Sequence, residues 1–251
     1  MAEFKNDRRH DNQDGEAMAF EWPNLELPDG FEHGQWHLRP VSQPEGLLFA
    51  RPWQLASKRL FDIVGSTLLL VALSAPLLIT ALVVFFASRG PALYVQERVG
   101  LKGRRFKMLK FRTMHFEAHH ARADHVDLNE SVGPVFKIRE DPRLTRNGRL
   151  LRRSSIDELP QLFNVLIGQM SLVGPRPPIP EEVATYGPRE SQRLLVKPGL
   201  TCIWQVSGRA DVDFDSWIDM DLEYIRTWSL WLDLKLLVRT IPAVLTRRGA
   251  Y

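Results

Sequence analysis

A single cysteine, Cys202, stands in 251 residues. One thiol excludes an intrachain disulfide and suits a reducing compartment, so the chain is no small oxidised scaffold. No apolar stretch begins near residue 1, which argues against a cleaved signal peptide. There is no internal repeat, and solenoid arrays are excluded with it. His115 and His119 have i, i+4 spacing but no adjacent glutamate of the His-Glu-x-x-His kind. With His120 and His125 they read as a polar connection over residues 115–136. What the chain does have is a core's worth of apolar residues, 44%, and a lopsided charge. Residues 1–50 carry 4 basic against 10 acidic side chains, whereas residues 51–112 carry 11 basic against 2 acidic. An acidic arm beside a basic body implies an anionic partner for the body.

Residues 1–50 are polar and turn-rich, with Pro23, Pro28, Pro40 and Pro44, and show no helical or strand period. They read as a flexible arm in which Trp22 and Trp36 are stray aromatics. Leu60 to Ser88 is apolar throughout, with Asp62 its only ionisable group. By length this is one transmembrane helix, a buried core helix, or a re-entrant hairpin. Pro76 falls near the middle and predicts a kink. Each arm is then about 18–24 Å long, short of the roughly 30 Å hydrocarbon core. Arg51, Lys58 and Arg59 precede the segment; Arg89, Arg98, Lys102, Arg104, Arg105 and Lys107 follow it. Positive charge marks the cytoplasmic side, so charge at both ends favours the hairpin. Residues 51–91 are thus assigned to the membrane and 92–251 to a cytoplasmic domain with amphipathic helices.

In that domain Ala92–Gln96 and Arg105–Met114 alternate as strands of a hairpin turned through Gly100 and Gly103. Ser155–Ile167 is apolar at helical spacing, and Pro180–Tyr186 and Pro188–Leu195 predict short helices. Phe214–Trp228 and Trp231–Leu245 predict longer amphipathic ones. Their apolar faces, with Trp228 and Trp231, suit lipid, a second subunit of a homodimer, or the domain core. The fold class is α+β, mainly helical with a small β-hairpin.

Three constellations carry chemistry. Ser155-Ile156-Asp157-Glu158 fits a capping box, with Ser155 as N-cap and Glu158 reaching back. The same residues are a candidate phosphoryl-transfer dyad. A helix N-terminus, Arg152 and Arg153 would keep Asp157 ionised as a nucleophile or magnesium ligand. Gly174-Pro175-Arg176-Pro177-Pro178 is a rigid turn presenting one arginine, either merely solvated or a pinned phosphate clamp. In Arg105–Met114, Lys110 and Arg112 share one strand face. Basic and aromatic residues interleaved also suit nucleic acid. A basic stretch directly after a membrane segment meets headgroups or a lipid phosphate sooner, and no nucleic acid is expected.

In this order the segments resemble the monotopic phosphoglycosyl transferases, the bacterial sugar transferases that prime exopolysaccharide, capsule and O-antigen synthesis. The resemblance runs from about Ser57 to Tyr251. It rests on Lys58-Arg59-x-x-Asp62, Gln96-Glu97-Arg98-Val99-Gly100, Lys110-Phe111-Arg112-Thr113-Met114, Asp141-Pro142-Arg143, the Asp157–Gln161 block and Gly174–Pro177. Lys197–Thr201, Trp204–Arg209 and Trp228–Asp233 continue it. Ala75 rather than serine precedes Pro76, with Ser74 one position earlier, and Cys202-Ile203 replaces a glycine-containing pair. The resemblance implies Asp157 as nucleophile on the β-phosphate of a UDP-sugar, Glu158 as its helper, and Mg²⁺ held by Asp157. It implies phosphate contacts from Arg152 and Arg176, and Lys110, Arg112 and Arg209 are added as substrate-binding candidates. Lys58, Arg59 and Pro76 would build the membrane hairpin. Undecaprenyl phosphate would be the acceptor, galactose or glucose the sugar, and the bacterial inner membrane, with its lipids, the location. The same reaction on an N-acetylated or diamino sugar, and a non-catalytic scaffold binding anionic lipid, are the alternatives.

Overall fold

The computed structural model describes residues 46–88, 90–115, 135, 138, 141–207 and 213–246. Residues 1–45, with Trp22 and Trp36, lie outside the described residues, as do His119, His120, His125 and Arg209. The last residues of the segment read as an arm pack on the body. Gly46, at φ 95°, sits where a Cβ would meet the backbone carbonyls of Ile225 and Arg226, and Leu47 is buried in the main core.

Helix α1 runs Pro52–Ala72 and α2 runs Ser74–Ser88, bent by 64°. Pro76 is the third residue of α2, where its missing N–H is one of the amides that lack an intrahelical partner anyway. The break therefore falls at Leu73 rather than at the proline itself. Ser74 Oγ donates to the Val71 carbonyl at 2.8 Å, so the serine one position early takes up an acceptor at the bend. No single described helix is long and apolar enough to cross a membrane; the bent pair passes together.

The polarity of α1 is inverted. Lys58, Asp62 and Ser66, four residues apart, form one stripe and are all buried. Leu60, Ile63, Val64, Leu68 and Val71 are exposed, and on α2 so are Leu78, Ile79, Leu82, Val83, Phe85 and Phe86. A helix of a water-soluble core does the opposite. Lys58 and Arg59, the basic entry to the hairpin, both bond into the body, Lys58 buried and Arg59 half-buried. Arg59 donates to the carbonyls of Val165 and Leu166, each at 2.7 Å, capping the end of helix α4 (Gln161–Leu166).

Strands β1 (Leu93–Val99) and β2 (Arg105–Phe111) pair antiparallel, with Val95 opposite Leu109. The turn is a short 3₁₀ segment, Leu101–Gly103, with Lys102 at φ 56° and Gly103 at φ 74°. The hairpin was legible, but β2 ends three residues before Met114. Segment 112–115 leaves the strand to bind α3 (Arg146–Arg153): Thr145 N donates to Thr113 O at 3.0 Å, and a Cβ on Gly148 would lie 1.8 Å from that oxygen. A second sheet pairs β3 (Ser171–Val173) in parallel with β4 (Gly199–Thr201). Helices α5 (Pro180–Val183), α6 (Pro188–Ser191) and a 3₁₀ turn, Gln192–Leu195, supply the crossover. Helices α7 (Ile203–Ser207), α8 (Phe214–Thr227) and α9 (Leu230–Thr246) close the core around Leu162, Val165, Leu172, Ile218, Tyr224 and Leu236. Of the two tryptophans left open, Trp228 joins that core and Trp231 is exposed.

Candidate active site

The dyad is not on a capped helix. Ser155 sits in the left-handed region, φ 55°, and its side chain caps nothing; Ile156–Glu158 form a 3₁₀ turn. The capping-box expectation fails because Glu158 reaches across to Lys110, with Oε1 accepting from Nζ at 2.9 Å. A non-glycine residue held at positive φ is costly, and such strain gathers at functional sites.

Three elements aim side chains at this turn. Strand β2 brings Lys110, and buried Asn164 fixes the strand: its Nδ2 donates to the Lys107 carbonyl at 2.8 Å, and its Oδ1 accepts from Leu109 N at 3.0 Å. Helix α3 brings Arg152, whose Nε donates to Thr113 Oγ1 at 3.1 Å; Arg153 beside it is exposed. The loop after β3 brings Arg176. A small cleft is lined by Arg98, Met108, Lys110, Glu158, Gln161, Arg176, Pro177 and Gln205, with the β4 residues Gly199 and Leu200. Asp157 and Arg152 do not line it, and Arg112 also stays outside. The strand has ended by then, and its Nε donates to the Pro91 carbonyl. Arg98, read in the sequence as a flanking basic residue and part of a motif, is 5% exposed, and its Nη1 donates to Pro177 O at 2.8 Å. Its signal was a charged residue in a strand whose neighbours alternate toward the core.

The charges are strongly coupled. Burial, then Glu158, pushes Asp157 up to about 6, against the pull of Lys110 and Arg152. The expected ionising effect of a helix N-terminus is overruled, since no regular helix starts there. Burial also acts to raise Glu158, but Lys110, with Arg176 and Arg98, more than offsets it and the carboxyl lies below its usual range. Burial lowers Lys110 and Arg152, and burial with Arg176 nearby lowers Arg98 to about 10. Near the Thr113 junction, Arg143 grips Asp141 with Nε at 2.8 Å and Nη2 at 2.7 Å. Burial would raise Asp141, but that pair keeps it low.

Gly174 and Gly199 let the clamp turn and β4 touch. A Cβ on Gly199 would lie 2.0 Å from Gly174 N, and one on Gly174 would lie 2.6 Å from Lys197 O. Both neighbours are backbone, so they cannot swing aside. Gly199→Ala should destabilise by about 3 kcal/mol or more. Thermal unfolding in detergent checks this, and an unchanged Tm would contradict the close approach.

The residues fit a magnesium site of the substrate-completed kind. Among the described residues no three His, Cys, Asp or Glu side chains gather as a cage. Mg²⁺ is commonly held by one or two carboxylates with phosphate oxygens and water. Asp157, buried beside Glu158, is the carboxylate that would hold such an ion, next to Lys110 and Arg152.

A sequence model described as "Bacterial sugar transferase" matches residues 53–247. The chain is 42% identical to galactosyl transferase CpsE of Streptococcus agalactiae over 203 residues, covering 78% of this chain and 44% of that protein. It is 44% identical to UDP-glucose:undecaprenyl-phosphate glucose-1-phosphate transferase of Caulobacter vibrioides, covering 77% and 72%. To exopolysaccharide production protein ExoY of Rhizobium meliloti it is 38% identical, covering 84% and 96%. The chain thus spans less than half of some relatives, such as CpsE, and nearly all of others, such as ExoY. With the matched segment holding the hairpin, the dyad and the clamp together, the chain belongs to the bacterial sugar transferase family.

Proposed function

We propose that the chain moves a hexose-1-phosphate from a UDP-sugar to a polyprenyl phosphate through a covalent aspartyl intermediate, priming a surface polysaccharide. One observation carries this reading: a buried Asp157 and a part-exposed Glu158 beside Lys110, Arg152 and Arg176, on a body joined to an outward-apolar bent helix pair. An Asp157 oxygen attacks the β-phosphorus of the donor, the bond to the bridging oxygen breaks, and UMP leaves. The acceptor's phosphate oxygen then attacks the same phosphorus and the Asp157–phosphorus bond breaks, leaving a polyprenyl diphosphate sugar. Splitting the transfer lets one site serve a soluble donor and a lipid acceptor in turn. Arg152, Lys110 and Arg176 offset charge on the transferring group, and Glu158, held by Lys110, assists the acceptor's attack. Mg²⁺ held at Asp157 would add positive charge there. Arg209, outside the described residues, keeps its proposed substrate-binding role.

The relatives' names include both galactose and glucose transferases, and either hexose fits the proposal. Purified protein with Mg²⁺, undecaprenyl phosphate and a panel of UDP-sugars should release UMP with at least one hexose. No release with any sugar would overturn the reading.

The inverted polarity of α1 and the exposed α2 support a hairpin dipping into the cytoplasmic leaflet of the inner membrane. Leu55, in the first turn of α1 ahead of the apolar stretch, and Val95, in β1 after it, are 45% and 47% exposed, open enough to label. Cysteines placed at these two positions, in a Cys202→Ala background, should both react with an impermeant thiol reagent from the cytoplasmic side. Labelling from opposite sides would restore a full span.

A further inference from the structure

The clamp turn is gripped from behind. Residues 175, 177 and 178 are prolines without N–H groups, so the turn must be fixed largely through its carbonyls. Four consecutive carbonyls are taken, the first being Pro175 O, which accepts from Gly199 N at 2.8 Å. Arg176 O accepts from Arg193 Nη2 at 3.0 Å, Pro177 O from Arg98 Nη1 at 2.8 Å, and Pro178 O from Val99 N at 2.9 Å. Arg193 is itself held through both Nη atoms, while its Nε has no hydrogen-bond partner among the described residues. It is 2% exposed, pairs through Nη2 with buried Asp221 at 2.6 Å, and donates Nη1 to Tyr186 Oη at 2.9 Å. The guanidinium carbons of Arg193 and Arg176 lie over the same indole, Trp217, at 5.1 and 5.6 Å from its centre. A buried ion pair is a weak source of stability, because desolvation consumes most of its attraction. Its geometry serves direction instead: one guanidinium holds the Arg176 backbone while a shared ring guides the Arg176 side chain.

Resting on the proposed function, we infer that Arg193, with Asp221 and Trp217, is a positioning residue that aims the Arg176 guanidinium at the transferring phosphate. It touches no substrate and acts through Arg176. Arg193→Lys keeps the charge opposite Asp221 but cannot span Asp221, Tyr186 and the carbonyl in one plane. A misaimed clamp loses on the order of 10–100-fold in kcat, since a shift of about 1 Å in a positioned group costs that much. KM for the UDP-sugar should change less. Trp217→Phe, which keeps a ring, should retain most of the activity, and Trp217→Leu should not.

The deciding experiment is a double-mutant cycle on UMP release. With Arg176 present, Arg193→Lys lowers kcat; in an Arg176→Ala background the same change should have little further effect. An equal loss in both backgrounds, or no loss in the first, overturns the inference. If Arg193→Lys fails to fold, by its Tm, the Trp217→Phe and Trp217→Leu pair run in both backgrounds decides in its place. If the unsubstituted protein releases no UMP, the proposed function falls; the same cycle read by calorimetric affinity for UDP then judges the positioning role alone.

Discussion

Asp157→Asn should abolish sugar-phosphate transfer, lowering UMP release by roughly 10³-fold or more, while leaving the protein as stable as before or slightly more so. The loss follows from chemistry: an amide cannot form the phosphoryl bond that the proposed mechanism assigns to the ionised carboxylate. The stability follows from electrostatics. Asp157 is 6% exposed and adjacent to Glu158, and burial with that neighbour already pushes it up to about 6. Removing its charge relieves both costs, as expected where function is held at the expense of stability. Activity and thermal unfolding measured on one preparation check the pair of outcomes. Undiminished release would remove Asp157 from the reaction. A large fall in Tm would mean that the residue supports the fold.

The second large effect lies where the hairpin meets the body. Lys58 Nζ donates to Asp233 Oδ2 at 2.7 Å, to Val173 O at 3.1 Å and to Tyr224 Oη at 3.2 Å. Tyr224 Oη lies 2.8 Å from Asp233 Oδ1 and 2.9 Å from Val173 O, and its one proton serves either acceptor. Trp228 Nε1 donates to Asp233 Oδ2 at 3.2 Å. Asp233 is 0% exposed, so removing its cation leaves a charge with no water to turn to. Lys58→Met should therefore cost about 3–5 kcal/mol, a fall in Tm of roughly 10 °C. Lys58→Met with Asp233→Leu removes both charges and should recover much of that loss. Unfolding in one detergent for the three proteins measures it. A single variant as stable as the parent would show that the pair does not lock α1 onto α9. Val173 directly precedes the clamp turn, so the same lock joins the hairpin to the strand that leads into the Arg176 turn.

How much of this was readable from residues alone depended on how local each cause was. Pro76 marked the bend because a proline kink acts within a few residues. The hairpin at Gly100 and Gly103 and helices α8 and α9 followed from periodicity. Lys110 was placed correctly by alternation, whereas Arg112 was not, because β2 ends at Phe111 to let segment 112–115 bind α3. Ser155 matched a capping pattern, but Lys110, 48 residues from Glu158, outcompeted it for that carboxylate. Strands β3 and β4, three residues each, are too short to show a period. The roles of Lys58, Arg98 and Arg193 depend on partners that only folding brings near. In sequence they look like any other basic residue.

The central claim is that a bond forms between Asp157 and the sugar phosphate. Mixing the purified protein with Mg²⁺ and the UDP-hexose that supports turnover, without any lipid, and then quenching and measuring the intact mass, addresses it directly. The account predicts a mass gain of one hexose phosphate, located on the peptide holding Asp157, with a matching burst of UMP. Adding undecaprenyl phosphate should then discharge it. Turnover with lipid but no adduct in its absence, or an adduct on another residue, would contradict the account.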